Sequence, residues 1–259
     1  MLKGLAGRTA LVTGAAAGIG EATCRRLHAE GVNVAAVDRD ADGLEKLAGD
    51  LGSNVLAVVG DVTDEADTER FFDAAVAEFG RVDLVHLNAG IDPRVVMLTD
   101  LDIADFDRVF AVNVRGSFLG GRAAVPRMSA QPTRGNIVFT ASISGLKGDA
   151  GVCVYVASKH AVVGLVRSMA METGALGIRV NVVCPGPTQT AMMDRLKVGL
   201  GSIAGVEAAA VRAGLVPAIP MGRYARPTRS HRPSRGCSAT RCRTCMSRSS
   251  PSAGGSTDA

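Results

Sequence analysis

The sequence has no tryptophan and only two tyrosines, so any chemistry that needs a phenol must come from Tyr155 or Tyr224. It also has no apolar run near the ~20 residues that cross a bilayer, and MLKGLAGRTALVTG at the start lacks a secretory pattern. Neither a membrane partner nor export is expected. Excess charge is missing too. Six of the 29 Lys and Arg lie between residues 228 and 253, leaving 23 basic residues against 25 acidic ones elsewhere. The body is weakly acidic, which gives no case for nucleic acid as a partner. Cysteine is sparse in the body, where Cys24, Cys153 and Cys184 stand far apart in apolar or helical surroundings. That usage fits a reducing, cytoplasmic setting rather than a disulfide framework.

Short runs rich in Val, Leu, Ile and Ala recur at 9–13, 32–37, 54–59, 82–87, 136–140 and 178–184. Stretches with helical spacing lie between them, at Glu21–Glu30, Glu65–Phe79, Ile103–Met128 and Val154–Leu176. Six strands alternating with helices predict an α/β fold, a Rossmann-type doubly wound parallel sheet in one domain over residues 1–227. Ligands of such sheets bind at the carboxyl ends of the strands, where strand order reverses, so the chemistry should follow each apolar run.

The first run opens into Thr13-Gly14-Ala15-Ala16-Ala17-Gly18-Ile19-Gly20. Glycines there let backbone N–H groups approach a pyrophosphate, which the N-terminus of the following helix favours. Eighteen residues beyond Gly20, the second run ends at Asp38, whose carboxylate can accept both ribose hydroxyls and repel a 2′-phosphate. The cofactor expected is therefore NAD. Arg39 argues the other way, since a guanidinium can pair with that phosphate.

Tyr155 and Lys159 are four residues apart, on one face of a helix. A nearby ammonium favours phenolate and lowers a phenol's pKa from about 10, which would let Tyr155 exchange a proton with a substrate oxygen. Ser142, thirteen residues earlier at the end of the fifth run, offers a hydroxyl to the same oxygen, with Ser144 as its rival. Asn113 interrupts an apolar helical stretch; it either fixes a water that links Lys159 to solvent or only bends its helix. His86, in a strand, reads as a satisfied core residue, and His160 as a helix-surface residue.

TGxxxGIG at 13–20, Asp61-Val62, Asn88-Ala89-Gly90, Asn113, Ser142, YxxxK at 155–159, and Pro185-Gly186 with Thr188 and Thr190 follow one another in an order that resembles the short-chain dehydrogenase/reductase family. The resemblance covers about residues 5–227 and implies hydride transfer between nicotinamide and an alcohol or carbonyl carbon. It implies a proton relay of Asn113, Ser142, Tyr155 and Lys159. It also implies that Asp61 and Val62 hold adenine, Asn88, Ala89 and Gly90 the adenosine ribose and nearby backbone, and Thr188 and Thr190 the carboxamide and phosphates. Leu87 stands where the family usually has a second Asn, and Ala17 where NADP-preferring members often carry a basic residue. Residues 191–225, where helical spacing is broken by Gly199, Gly201 and Gly205, correspond to the family's substrate lid. Their Met, Leu and Val content suggests an apolar pocket for a secondary alcohol or ketone, a ring being one candidate skeleton. No metal is expected. By the same resemblance the chain forms a homotetramer or dimer if its C-terminus is intact.

The segment 228–259 is anomalous: between Thr228 and Ala253 there is no Asp, Glu, Lys, Leu, Ile, Val or Phe. Cys242 and Cys245 with Cys237 and His231 match no common zinc spacing. Family members continue here with an apolar helix and a last strand ending in Val-Asp-Gly-Gly, and Gly254-Gly255 recurs at about that distance. Shifting the reading frame of Ser234–Arg241 permits Ala-Trp-Leu-Leu-Ser-Asp-Ala, an amphipathic pattern. Two compensating frameshifts are therefore expected, with the last helix and strand disrupted in the chain as written.

Overall fold

A computed structural model describes residues 4–229; the anomalous segment, apart from its first two residues, lies outside the described residues. Six strands, β1 (Thr9–Thr13), β2 (Asn33–Asp38), β3 (Val55–Val59), β4 (Leu84–Leu87), β5 (Asn136–Thr140) and β6 (Arg179–Val183), pair in parallel in the order β3-β2-β1-β4-β5-β6. The order reverses between β1 and β4, which opens a crevice at their carboxyl ends. The fold is the doubly wound sheet that the sequence predicts.

Each strand is buried on both faces near the centre because helices cover both sides. Leu11, Ala35, Val37, Ile137 and Phe139 share a cluster with Phe71 and Phe72 of α3 (Glu65–Phe79), Met128 of α5 (Gly116–Ser129) and Val162 and Val166 of α6 (Cys153–Thr173). The alternate residues Val12, Val34 and Ala36 pack with Cys24 of α1 (Gly18–Ala29) and Leu44 and Leu47 of α2 (Ala41–Leu51). Fully burying one such side chain contributes about 1.5–3 kcal/mol. Towards β5 and β6 the two faces differ. Ile137, Phe139 and Val180 are buried, whereas Asn136, Val138 and Thr140 are half-buried and Arg179 and Asn181 exposed.

Three local features depart from the sequence expectation. Helix α2 has no counterpart among the expected helical stretches; Asp40 starts it by accepting the Gly43 N–H at 3.1 Å. The single helix expected over 103–128 is α4 (Ile103–Phe110), a π-helical turn over 111–115, and then α5. A π turn marks a place where tertiary bonds outweigh the regular ladder, and here Asn113 at its centre is bonded to the loop after β4. In the lid, Gly199 and Gly201 do not break α7 (Ala191–Ala204); only Gly205, at φ +67°, ends it, and α8 (Ala208–Leu215) follows. Gly199 instead makes a notch: a Cβ there would lie 2.5 Å from Val95 Cβ. Among the described residues no single helix is long and apolar enough to cross a membrane.

Candidate active site

The turn between β1 and α1 is shaped by glycine. Gly14 and Gly18 have φ of +66° and +58°. A Cβ on Gly14 would come within 2.9 Å of Ala89 Cα, and one on Gly20 within 1.9 Å of the Gly14 carbonyl oxygen. Ala17 caps α1 in extended conformation without a side-chain bond, which leaves the first-turn N–H groups without a side-chain partner. Asp38, at the end of β2, accepts the Ala16 N–H at 3.0 Å and the Asp40 N–H at 3.1 Å, so its carboxylate is fixed against this turn. Gly14, Asp38, Arg39, Asp61, Val62 and Ala89 line one cleft of about 100 Å³ that opens to solvent. Arg39 is exposed.

The Asn88 side chain is bonded to neighbouring backbone. Its amide nitrogen donates to the carbonyls of Thr13 and Gly14, both at 3.2 Å, and its oxygen accepts the Thr140 hydroxyl at 3.1 Å. The side chain is spent tying β1, β4 and β5 together, and of the pair Asn88 and Ala89 it is Ala89 that lines the cleft. Thr13 completes the knot by accepting the N–H groups of Asn88 and Ala89 at 3.0 and 3.1 Å. Asp61 accepts the Thr63 N–H at 2.8 Å, and Val62 packs where Gly116 would carry a Cβ, at 2.8 Å.

At the end of β5, Ser142 is extended and its Oγ accepts the Ser144 N–H at 3.1 Å. The same hydroxyl is near enough to the Tyr155 phenol to act on it, in the direction that lowers the phenol's pKa. Ser144 is buried and donates to Asp149 at 2.8 Å, so its hydroxyl proton is already committed. Tyr155 and Lys159 share one face of α6, with the Lys159 Nζ 5.5 Å from the centroid of the tyrosine ring. Nζ donates to the Thr140 carbonyl at 3.0 Å, and Lys159 is only 3% exposed. No carboxylate is paired with it among the described residues. Burial therefore pushes its pKa down to about 8, with Cys184 acting the other way.

From sequence, the lysine charge is expected to lower the Tyr155 pKa. The net direction is the opposite: burial of the hydroxyl raises it, Ser142 opposes this, and the negative charge of Asp92 adds to the rise. Asn113 is fully buried; its nitrogen donates to Ile91 O and to Ser158 Oγ, both at 3.1 Å, and its oxygen accepts the Ile91 N–H at 2.8 Å. Gly90 sits between the relay groups, where a Cβ would lie 3.2 Å from both Asn113 Oδ1 and Lys159 Nζ.

Pro185, Gly186 and Thr188 line a second pocket with Cys184 and Ala225. The Pro185 carbonyl accepts the Ile143 N–H at 3.0 Å, and Thr188 donates to Gly186 O at 2.9 Å. Thr190 caps α7 by accepting the Met193 N–H at 3.3 Å and lies 3.4 Å from where a Gly18 Cβ would stand. The lid is pinned to the loop after β4: Arg195 Nε and Nη2 each bond Asp92 at 2.9 Å, and Val95 fills the notch at Gly199. Sequence reasoning misses Thr13, Thr140, Asp92 and Arg195 as site residues. The two threonines flank the glycine-rich and serine motifs, whereas nothing in the sequence links Asp92 to a residue 103 positions away.

A family model described as short chain dehydrogenase matches residues 8–199. Levodione reductase of Leifsonia aquatica is 39% identical over 192 residues, 72% of either chain. Cis-4-hydroxycyclohexanecarboxylate dehydrogenase of Sinomonas cyclohexanicum is 40% identical over 229 residues, 88% of this chain and 87% of its own. A crystal structure of NAD+-bound xylitol dehydrogenase superposes with a TM-score of 0.84 at 31% identity, covering 87% of this chain and 90% of that one.

Proposed function

The chain belongs to the short-chain dehydrogenase family, and from that premise we propose that it is an NAD-dependent oxidoreductase interconverting a secondary alcohol and a ketone, with Tyr155 as acid and base. The observation that carries this reading is the convergence of the Tyr155 phenol, the Ser142 hydroxyl and the buried Lys159 ammonium at the carboxyl end of β5.

The residues present fit a nicotinamide dinucleotide. The turn at 14–20 offers uncapped N–H groups for the pyrophosphate, with Gly14, Ala17, Gly18, Ile19 and Gly20 as its holders. Gly186 has nothing within 4 Å of a would-be Cβ, so the second pocket has room beside Pro185, Thr188 and Thr190. Asp38 would take the ribose hydroxyls and disfavour a 2′-phosphate, and Asp61, Val62, Ala89 and Gly90 would line the adenosine end, with Asn88 shaping it from behind. The bound nicotinamide would supply or take up hydride at the carbon bearing the oxygen. Ser142 then hydrogen-bonds that oxygen, Tyr155 gives it a proton or removes one, and Lys159 carries the positive charge that favours the phenolate. Asn113 holds the loop at Ile91 against α6 through Ser158.

The substrate class we infer is a small apolar alcohol or ketone, a ring being consistent with the cyclohexane-based name of one relative. Exposed Ile103, Phe106 and Phe118 on α4 and α5 favour a homo-oligomer, a tetramer or dimer if the C-terminus is intact; light scattering on the written and the frame-restored chain would measure its mass. We further propose a cytoplasmic location, no nucleic-acid partner, and two frameshifts behind residues 228–253; resequencing the coding DNA tests the last point. Activity is tested by NADH absorbance with a panel of secondary alcohols. Tyr155→Phe should lower kcat by about 10²–10⁴ while NAD binding is retained. Unchanged turnover in that variant would sink the assignment.

A further inference from the structure

His86 lies on β4 at 7% exposure, two residues before Asn88 and therefore on the same face of the strand. Its parallel partner on β5 is Val138, so Thr140 shares that face as well. His86 Nε2 is 2.8 Å from Thr140 Oγ1, and Thr140 Oγ1 is 3.1 Å from Asn88 Oδ1.

Only one arrangement of protons satisfies both contacts. The Asn88 nitrogen faces two carbonyl oxygens, those of Thr13 and Gly14. Carbonyls only accept, so the amide hydrogens point there and Oδ1 faces Thr140. Oδ1 has no proton to give, so the Thr140 hydroxyl donates to it. That hydroxyl has a single proton, now used, and the remaining contact requires His86 Nε2 to be the donor. The carbonyl of the same threonine receives the Lys159 ammonium at 3.0 Å. Thr140 thus joins the imidazole through its side chain to the buried lysine through its main chain, and Asn88 extends the line of bonds to the Gly14 carbonyl.

We propose that His86 is a positioning residue of this site: by donating Nε2–H to Thr140 it holds the end of β5 in register with the glycine-rich turn and so seats Lys159. It is a positioning residue rather than a catalytic one, because it acts on the lysine through Thr140. The kinetic part of this proposal rests on the function proposed above; the proton assignment does not.

Two measurements test it. Nitrogen-15 NMR of histidine-labelled full-length protein, with His86 assigned by comparison with His86→Gln, should show Nε2 protonated. A neutral ring with its proton on Nδ1 and a bare Nε2 would overturn the assignment whether or not the protein is active. In kinetics, His86→Gln keeps an N–H donor at similar reach and should retain kcat within about twofold. His86→Leu should lose about tenfold in kcat and gain in KM for NAD, the scale of one buried hydrogen bond, with KM for the alcohol little changed. Equal kcat values in the two variants, both folded by circular dichroism, would refute the positioning role. If His86→Leu does not fold, the proposal still stands or falls on the NMR result and on whether His86→Gln keeps kcat. Absent turnover in the wild-type chain would count against the proposed function and leave the NMR result to decide the proton order.

Discussion

Replacing Lys159 by methionine should abolish turnover and at the same time stabilise the folded chain at neutral pH. Lys159 is buried, its ammonium is held by a neutral carbonyl, and its pKa is lowered from 10.5 to about 8. A shift of that size corresponds to about 3 kcal/mol. The sign follows from proton counts. Below pH 8 the lysine is charged in both folded and unfolded chains, and the folded chain bears the full cost of a buried charge. Between about pH 8 and 10.5 the folded chain has released its proton while the unfolded chain still holds one, so the penalty fades as pH rises. Methionine has similar length and no charge, and leaves the Thr140 carbonyl without its donor, a loss of about 1 kcal/mol. A net gain of about 2 kcal/mol at pH 7 would raise Tm by roughly 4–8 °C in a chain of this size. Urea unfolding followed by circular dichroism, on wild type and variant at pH 7 and pH 10.5, measures the difference, and the comparison cancels other titrating groups. A variant that is less stable than wild type at pH 7, or a difference that does not change with pH, would refute the account of the buried charge.

Asp38→Ala should raise the NADP-to-NAD ratio of kcat/KM by tenfold or more, because it removes a negative charge fixed on the Ala16 and Asp40 N–H groups; an unchanged ratio would refute Asp38 as the group that disfavours a 2′-phosphate. Gly20→Ala should cost about 3 kcal/mol or more, since its Cβ would meet a carbonyl oxygen at 1.9 Å, and thermal unfolding with a near-wild-type Tm would contradict the packing of α1 on β1. Arg195→Met should free the lid from Asp92 and raise KM for the alcohol severalfold with KM for NAD little affected, as steady-state kinetics would show.

Much of the fold is legible because a parallel sheet buried on both faces demands continuous apolar runs, and all six are visible as such. Helix α2 is not, because it is short and carries Gly43 and Gly49 where helical spacing would show. The break between α4 and α5 has no local cause: it follows from Asn113 bonding Ile91, a contact made only once the chain has folded. In the site, the glycines, Asp38, Tyr155 and Lys159 announce themselves because their chemistry depends on spacing within one element. Ser142 cannot be told from Ser144 without the bond that commits the latter to Asp149. The motif at Asn88 shows that a polar group is present but not which strands it ties together. The direction of the Tyr155 pKa escapes for a related reason: sequence displays the charge beside the phenol and hides how dry its surroundings are.

The three-strand knot at Asn88 has a consequence for anyone redesigning this chain. One amide answers to the glycine-rich turn on one side and to the strand carrying Ser142 on the other. Changes made to recolour cofactor preference will therefore be felt where the alcohol reacts. The two halves of the crevice are yoked, and selection on either one drags its neighbour along.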